Sequence, residues 1–392
     1  MGLFKKSRYI DYIASACLIS LIPAFYVWNN SLLVGVIYLV LGFVLSIDII
    51  KHGHTTRRTV VAVLFFILYL VYIFMAGLTL AGAITLLVVV LFFLLRDSRM
   101  FQLYETFSNI FAILLAISFL VFVYVVYLGG FLPSLSIEPL NYSKTERYYL
   151  YPFLIVITEY GIVLPRFMGL FDEPGVVGTL CGIILIAEHF NLRKKRNWVF
   201  LLSGISSLSF FFFLMCLAYL VVYSKPKYII YTGIVVISLA FVFKDNEVIQ
   251  KRVWDRFVSE EGILVDNRTS SEFEKYYDSF RASPDYFWGL GKGVGHSHNE
   301  GGNSYKQFVV DYGIIFFFLY IACFFLIAIP ELKISKNLLL FSISLLGTMY
   351  QRPFIEHHTY LFLFIASIVV LKCNSKKISS NISNCIIDGS LK

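Results

Sequence analysis

Long apolar runs broken by short polar turns dominate the chain. They place membrane-crossing helices near 9–28, 31–50, 59–77, 78–95, 109–128, 174–190, 198–223, 228–243, 308–329, 337–350 and 359–373. A run of about 20 apolar residues spans roughly 30 Å of hydrocarbon, and a helix satisfies its own backbone there. Two polar stretches interrupt the pattern. Residues 129–173 carry Pro133, Pro139, Pro152 and many tyrosines; residues 244–307 are polar and part-helical. Within the second, "SSEFEKYYDSFRAS" predicts a helix beginning near Glu272, with Ser270 or Ser271 as its cap.

Lysine and arginine orient the turns, because short cytoplasmic loops are enriched in both. "FKKSR" at the N-terminus, "KHGHTTRR" at 51–58, "RDSR" at 96–99 and "LRKKRN" at 192–197 fall on one side by simple alternation, which is then the cytoplasm. The turns Asn29-Asn30 and Gly77-Leu78 carry no basic residue. Alternation fails if 198–223 is one helix, for "SKPK" at 224–227, "ELKISK" at 331–336 and Lys372, Lys376 and Lys377 then land outside. Splitting "WVFLLSGISSLSFFFFLMCLAYLVVY" into two short helices that turn near Gly204–Ser209 repairs all three, as a re-entrant or broken arrangement inside the bundle. The expected class is an all-α polytopic integral membrane protein of about 12 segments by the positive-inside count. Its parts are an N-terminal bundle (1–128), a periplasmic loop (129–173), central helices (174–243), a large periplasmic loop (244–307), C-terminal helices (308–373) and a cytoplasmic tail (374–392).

Composition agrees. Hydrophobic residues make up 58% of the chain, charged residues 15%, and the mean hydropathy is +0.76; a soluble domain carries about 25% charge. The net charge of +8 is mostly orientation signal, so nucleic acid is not an expected partner. "MGLFKKSRYIDYIASACLISLIPAFYVW" has a basic start but leads into a full-length span, so no cleavable signal peptide is expected. Of the six cysteines, four fall in spans and two in the tail, which implies no disulfide framework, and their spacing fits no metal site.

Candidate chemistry sits at the outer face. In "VLPRFMGLFDEPGVVG", Pro174 suits the first helical position and Asp172 or Glu173 the cap. Arg166, six residues before the double acid, is either an arginine snorkelling to headgroups or a functional cation near membrane depth. Arg256, Arg268 and Arg281 are spaced along the second loop, where each is a solvated charge or a bidentate phosphate ligand. "GLGKGVG" at 289–295 lacks the strand and spacing of a nucleotide-binding loop and predicts a flexible turn. "HSHNEGGNSY" supplies His296, His298, Asn299 and Asn303, poor as a metal set but able to offer a general base. "MYQRPFIEHHTY" at 349–360 adds Arg352, Glu356, His357 and His358. Trp254, Trp288, Tyr286 and Tyr305 could stack on sugar faces, a weak signal in a chain that is 18% aromatic.

The order of these pieces resembles the O-antigen polymerase and ligase superfamily of bacterial envelopes. An arginine precedes "GLFDEPGVVG", "SLSFFFF" follows a basic turn, and a long loop carries "DNR", then "GLGKG", then "NSYKQFVVDYGI" entering a span. The match covers residues 150–320. It implies a metal-independent, inverting C-type membrane glycosyltransferase without cofactor, acting at the periplasmic face of the inner membrane. Its donor and acceptor would be undecaprenyl-diphosphate-linked oligosaccharides, and its partners a flippase and a chain-length regulator. Glu173-Pro174-Gly175 is similar to the helix start of the polymerase (Wzy-like) branch. The implied catalytic residues are Arg166, Arg268, His298 and Glu173; the implied substrate-binding residues are Arg256, Arg281, Asn299, Asn303, Tyr305 and Arg352. In many members a His-Asn pair directly precedes the last motif. Here Gly302 stands in place of that histidine beside Asn303, and the nearest pair is His298-Asn299, so His298 or His296 would be the base. The alternatives are a ligase that transfers finished polymer to lipid A-core, a flippase, and a metal-dependent transferase. A flippase keeps its ionisable residues inside the bundle. A metal-dependent enzyme would want acids in a first outer loop that here is only Asn29-Asn30.

Overall fold

The structure is a computed structural model that describes residues 8–22, 24–27, 30–76, 80–137, 147–158, 165–225, 227, 271–291, 294, 304–351 and 358–387. Its helices are α1 (Arg8–Leu21), α2 (Ser31–His52), α3 (Thr59–Ala76), α4 (Leu80–Leu94), α5 (Asp97–Phe122), α6 (Pro174–Ala187), α7 (Lys195–Ser206), α8 (Phe210–Tyr223), α9 (Ser271–Arg281), the single turn α10 (Asp285–Trp288), α11 (Tyr305–Leu332), α12 (Lys336–Gln351) and α13 (His358–Ile387). By length and composition three of these can cross a membrane: α2, α11, and α5 with the π-helical turn that continues it to Tyr127. Shorter apolar helices pack among them. The chain is a mostly helical, membrane-embedded protein. The expected span at 228–243 lies outside the described residues.

Several boundaries depart from expectation. α1 stops at Leu21, because Pro23 follows and the residue before a proline is pushed out of the helical region. α5 begins at Asp97, well ahead of 109. Its polar first turns are helical because Met100, Leu103, Tyr104, Phe107 and Phe111 form one buried stripe at helical spacing. α13 continues to Ile387, so the first part of the expected tail is helical. A small sheet accompanies the helices. β1 (Leu135–Ile137), β2 (Arg147–Tyr151) and β3 (Leu154–Thr158) form an antiparallel sheet in the order β1-β2-β3, with Leu135 opposite Leu150 and Tyr151 opposite Leu154. "RYYLY" and "LIVIT" are β-branched and aromatic, and Pro152-Phe153 closes them as a two-residue hairpin.

The charged ends of the helices gather at one end of the bundle. Arg99 on α5 donates to Asp11 on α1 (2.6 Å) and to Asp48 on α2 (2.9 Å), all three buried. Arg58 and Lys372 share Asp97, each at 3.0 Å, while Lys372 (2.5 Å) and Arg57 (3.3 Å) share Glu331. Lys194 and Arg196 hold Glu105 at 3.0 and 2.8 Å and also the buried Glu188. The Tyr219 hydroxyl at the end of α8 donates to the His189 carbonyl (2.7 Å), and Tyr223 bonds Asn337 at the start of α12. The helix break does fall at Ser207–Ser209: α7 leaves the basic end and α8 returns to it. The turns at 51–58, 96–99, 192–197 and 331–336 thus share one end with the close of α8. The sheet, residues 165–173, the start of α6 and the α9–α10 segment occupy the other.

Candidate functional site

Residues 166–171, "RFMGLF", are threaded between the bundle and the sheet, each side chain with its own job. Phe167 enters the core against Phe119 and Phe122, with ring centroids 5.6 and 5.4 Å apart. Met168 turns the other way and packs with Tyr148 and Ile155 under the sheet. Gly169 takes a left-handed φ of 61° and its carbonyl accepts from the Ile155 amide at 2.6 Å. The Leu170 carbonyl accepts from Phe25, and Phe171 forms a bridge with Ala24. This threading leaves Arg166 half-buried at the rim.

Arg166 is held by the α7–α8 turn. Its Nε donates to the Ser207 carbonyl (3.0 Å) and one Nη to the Leu208 carbonyl (3.3 Å); next to it the Phe167 amide donates to Ser206 (2.9 Å). These carbonyls end α7, where the helix dipole is negative, so the guanidinium completes a broken helix. The turn is closed by Ser207, whose hydroxyl donates to Gly204 (2.6 Å) and accepts from the Ser209 amide (3.3 Å). Leu208 takes a left-handed φ of 47° to make it. α6 lies directly on this turn. A Cβ on Gly178 would stand 2.7 Å from the Ser207 hydroxyl, and one on Gly182, a helical turn later, 2.9 Å from the Met215 sulfur. Small residues four apart let two helices approach at backbone distance.

Glu173 is the N-cap residue of α6, extended at φ −144° and ψ 141°, with Pro174 at the first helical position. Its side chain makes no capping hydrogen bond, a correction to the cap expectation. The preceding Asp172 is buried. Through Gly178 the N-terminal half of α6 lies on Ser207 and Ser209, just ahead of α8 and next to the carbonyls that hold Arg166.

The other half of the polar end is built on α11. This helix breaks at Gly313, φ 81° and ψ 159°, and "GLG" at 289–291 docks into the break. Leu290 N donates to Val310 O (2.9 Å) and Gly291 N to Asp311 O (3.0 Å). Gly289, also left-handed at φ 81°, crosses Gly313 so closely that a Cβ would stand 2.5 Å from the Asp311 carbonyl. The flexible turn expected here is instead fastened through its backbone. α9 follows the expected helix near Glu272 and packs Phe273, Tyr277 and Phe280 on Val309 and Val310. Lys306 pairs with Glu274 (2.5 Å) with its ammonium 5.7 Å over the Tyr277 ring. Burial, then the neighbouring Tyr286, pushes the Tyr277 phenol up, so it stays a neutral hydroxyl.

The expected site residues are placed unevenly. Arg166 sits on the α7–α8 turn and Glu173 at the N-cap of α6. Arg281 is exposed in the last turn of α9. Tyr305 packs between Phe317 (6.0 Å) and Tyr350 (5.9 Å), part of an aromatic row joining α11 to α12. His358 is buried, its Nδ1 bonded to the Tyr38 hydroxyl (3.0 Å), a core contact at the head of α13. Arg256, Arg268, His296, His298, Asn299, Asn303 and Arg352 lie outside the described residues. Sequence reasoning missed the Ser207 and Leu208 carbonyls as the seat of Arg166 and the Gly289–Gly313 crossing. The signals available were "SLS" at an expected helix break, and paired glycines without a helix between them. No family model, no curated protein and no solved structure matches the chain.

Proposed function

We propose that this protein is a polymerase that joins undecaprenyl-diphosphate-linked oligosaccharide repeat units into O-antigen or capsular or exopolysaccharide. In this reading it crosses the bacterial inner membrane about 12 times by the positive-inside count, with the basic end in the cytoplasm and the polar end in the periplasm. One observation carries the proposal: Arg166 is seated on the carbonyls of the α7–α8 break, against which α6 packs through Gly178. Discontinuous helices whose positive ends face a polar cavity are a membrane protein's means of receiving an anion. The ordered resemblance of residues 150–320 supplies the anion's identity.

Arg166 and Arg268, with Arg256 or Arg281, would grip the lipid diphosphate, and Glu173 would keep Arg166 aimed at it. A sugar hydroxyl of the second lipid-linked unit attacks C1 of the first sugar. The C1–O bond to the diphosphate breaks with inversion, and the bond's electron pair leaves on the diphosphate. The hydroxyl proton passes to His298 or His296. Arginine charge fixed beforehand stabilises the departing diphosphate. The test is polymer formation by Arg166→Ala and Arg268→Ala at normal protein levels. Both should fail; full-length polymer in both refutes the arginine grip. Gene deletion with gel analysis of surface polysaccharide separates the classes: a lost polymerase leaves core capped by a single repeat, whereas a lost ligase or flippase leaves bare core.

A further inference from the structure

A groove of about 360 Å³ runs along the bundle between α3 and α11, and its walls are almost wholly apolar. Leu64 and Val71 on one wall and Leu319 and Leu326 on the other are each about half exposed, at 45, 54, 47 and 52%. These helices are membrane-embedded, so the open side faces lipid. The polar end is closed by Phe287 and Trp288 of α10 and by Gly291 and Asp311, the Gly289–Gly313 crossing itself. We infer that this groove is the seat of the isoprenoid tail of a lipid-linked substrate. The inference rests on the polymerase reading for the tail's identity and adds where the tail lies.

Three features select that occupant. The groove opens sideways to hydrocarbon, so its guest arrives from within the bilayer. Its volume is at the small end of ligand sites (~300–1,000 Å³), room for a stretch of one hydrocarbon chain. It also ends at backbone fastened to the α9–α10 segment, so the polar head would leave the groove at the proposed reaction face.

The test uses the full chain in phosphatidylethanolamine–phosphatidylglycerol nanodiscs, with undecaprenyl phosphate carrying a diazirine along its chain. Photolabelled peptides should come from α3 around 64–71 and α11 around 315–326. Unlabelled undecaprenyl phosphate should compete, and added phosphatidylglycerol should not. Ala322→Trp, which fills the groove from an exposed position, should weaken labelling about tenfold by displacing apolar contact. Ile117→Trp, on the exposed face of α5, should leave it unchanged. Labelling that phosphatidylglycerol competes equally, or that survives Ala322→Trp in monodisperse protein, would overturn the groove as a specific site. Because the probe carries no sugar, groove labelling in a protein that makes no polymer would retain this inference and remove only the reaction.

Discussion

Gly313→Ala tests the junction that fixes the polar end. At φ 81° an alanine costs about 1–2 kcal/mol for the left-handed backbone. Its Cβ would stand 2.5 Å from the Trp288 carbonyl carbon and 2.7 Å from the Gly289 nitrogen. Those atoms are backbone, so relief requires the two segments to part. Parting lengthens the Leu290–Val310 and Gly291–Asp311 hydrogen bonds, each worth about 0.5–1.5 kcal/mol net. The sum is roughly 2–5 kcal/mol, and its midpoint corresponds to an increase of over a hundredfold in local opening. Hydrogen exchange with mass spectrometry in nanodiscs reads this directly, since amides of 285–291 exchange through that opening. Gly35→Ala in α2 is the control: nothing lies within 4 Å of its added Cβ, so it should be neutral or stabilise by up to about 1 kcal/mol. Wild-type protection of 285–291 in Gly313→Ala would refute the junction as the fastening of that segment.

Three further outcomes follow from the geometry. Arg99→Met strands Asp11 and Asp48 in the bundle and should cost about 3–5 kcal/mol in a thermal or denaturant melt; the triple variant Arg99→Met, Asp11→Asn, Asp48→Asn should recover part of it. Gly178→Val drives a side chain into the Ser207 and Ser209 hydroxyls and should cost about 1–3 kcal/mol by overpacking, and a wild-type melting curve would argue against the close α6 approach. Arg166→Lys keeps the charge but loses the planar fork that spans two carbonyls. It should lower stability by about 1 kcal/mol, and equal melting of Arg166→Lys and wild type would mean those bonds contribute nothing.

Where the fold was legible, a single strong physical term decided it. The positive-inside bias placed the break in 198–223, because three later basic turns had to return to one side, and the α7–α8 turn falls there. Where it was not, two terms competed. "DSRMFQLYETFSN" carries too much charge to score as a span, yet its apolar residues share one helix face and its charges find partners on α1, α2 and α13, at Arg58, and at Lys194 and Arg196. The basic turns carried more than orientation. Arg58 and Arg99 are buried ion-pair members and Arg196 a half-buried one, a role fixed by carboxylates elsewhere in the chain and invisible to a count of lysines and arginines. The sheet escaped because "LIVIT" is equally good as hydrocarbon and as strand, and only its pairing with "RYYLY" across Pro152-Phe153 settles it.

The acids of "GLFDEPG" show why a motif underdetermines a site. Position alone made Glu173 a capping residue, and it does occupy the N-cap, but its side chain makes no cap bond. A proline at the first helical position already removes one amide that would need an acceptor, so a side-chain cap has less to satisfy. The requirement that survives is electrostatic. The first turn of α6 is a positive helix end, beside which negative charge is favourable, while the Arg166 guanidinium rests on the carbonyls that end α7. Asp172 and Glu173 supply that negative charge from the chain. An acidic residue at the mouth of this helix therefore suits the positive helix end whether or not its side chain makes a cap bond.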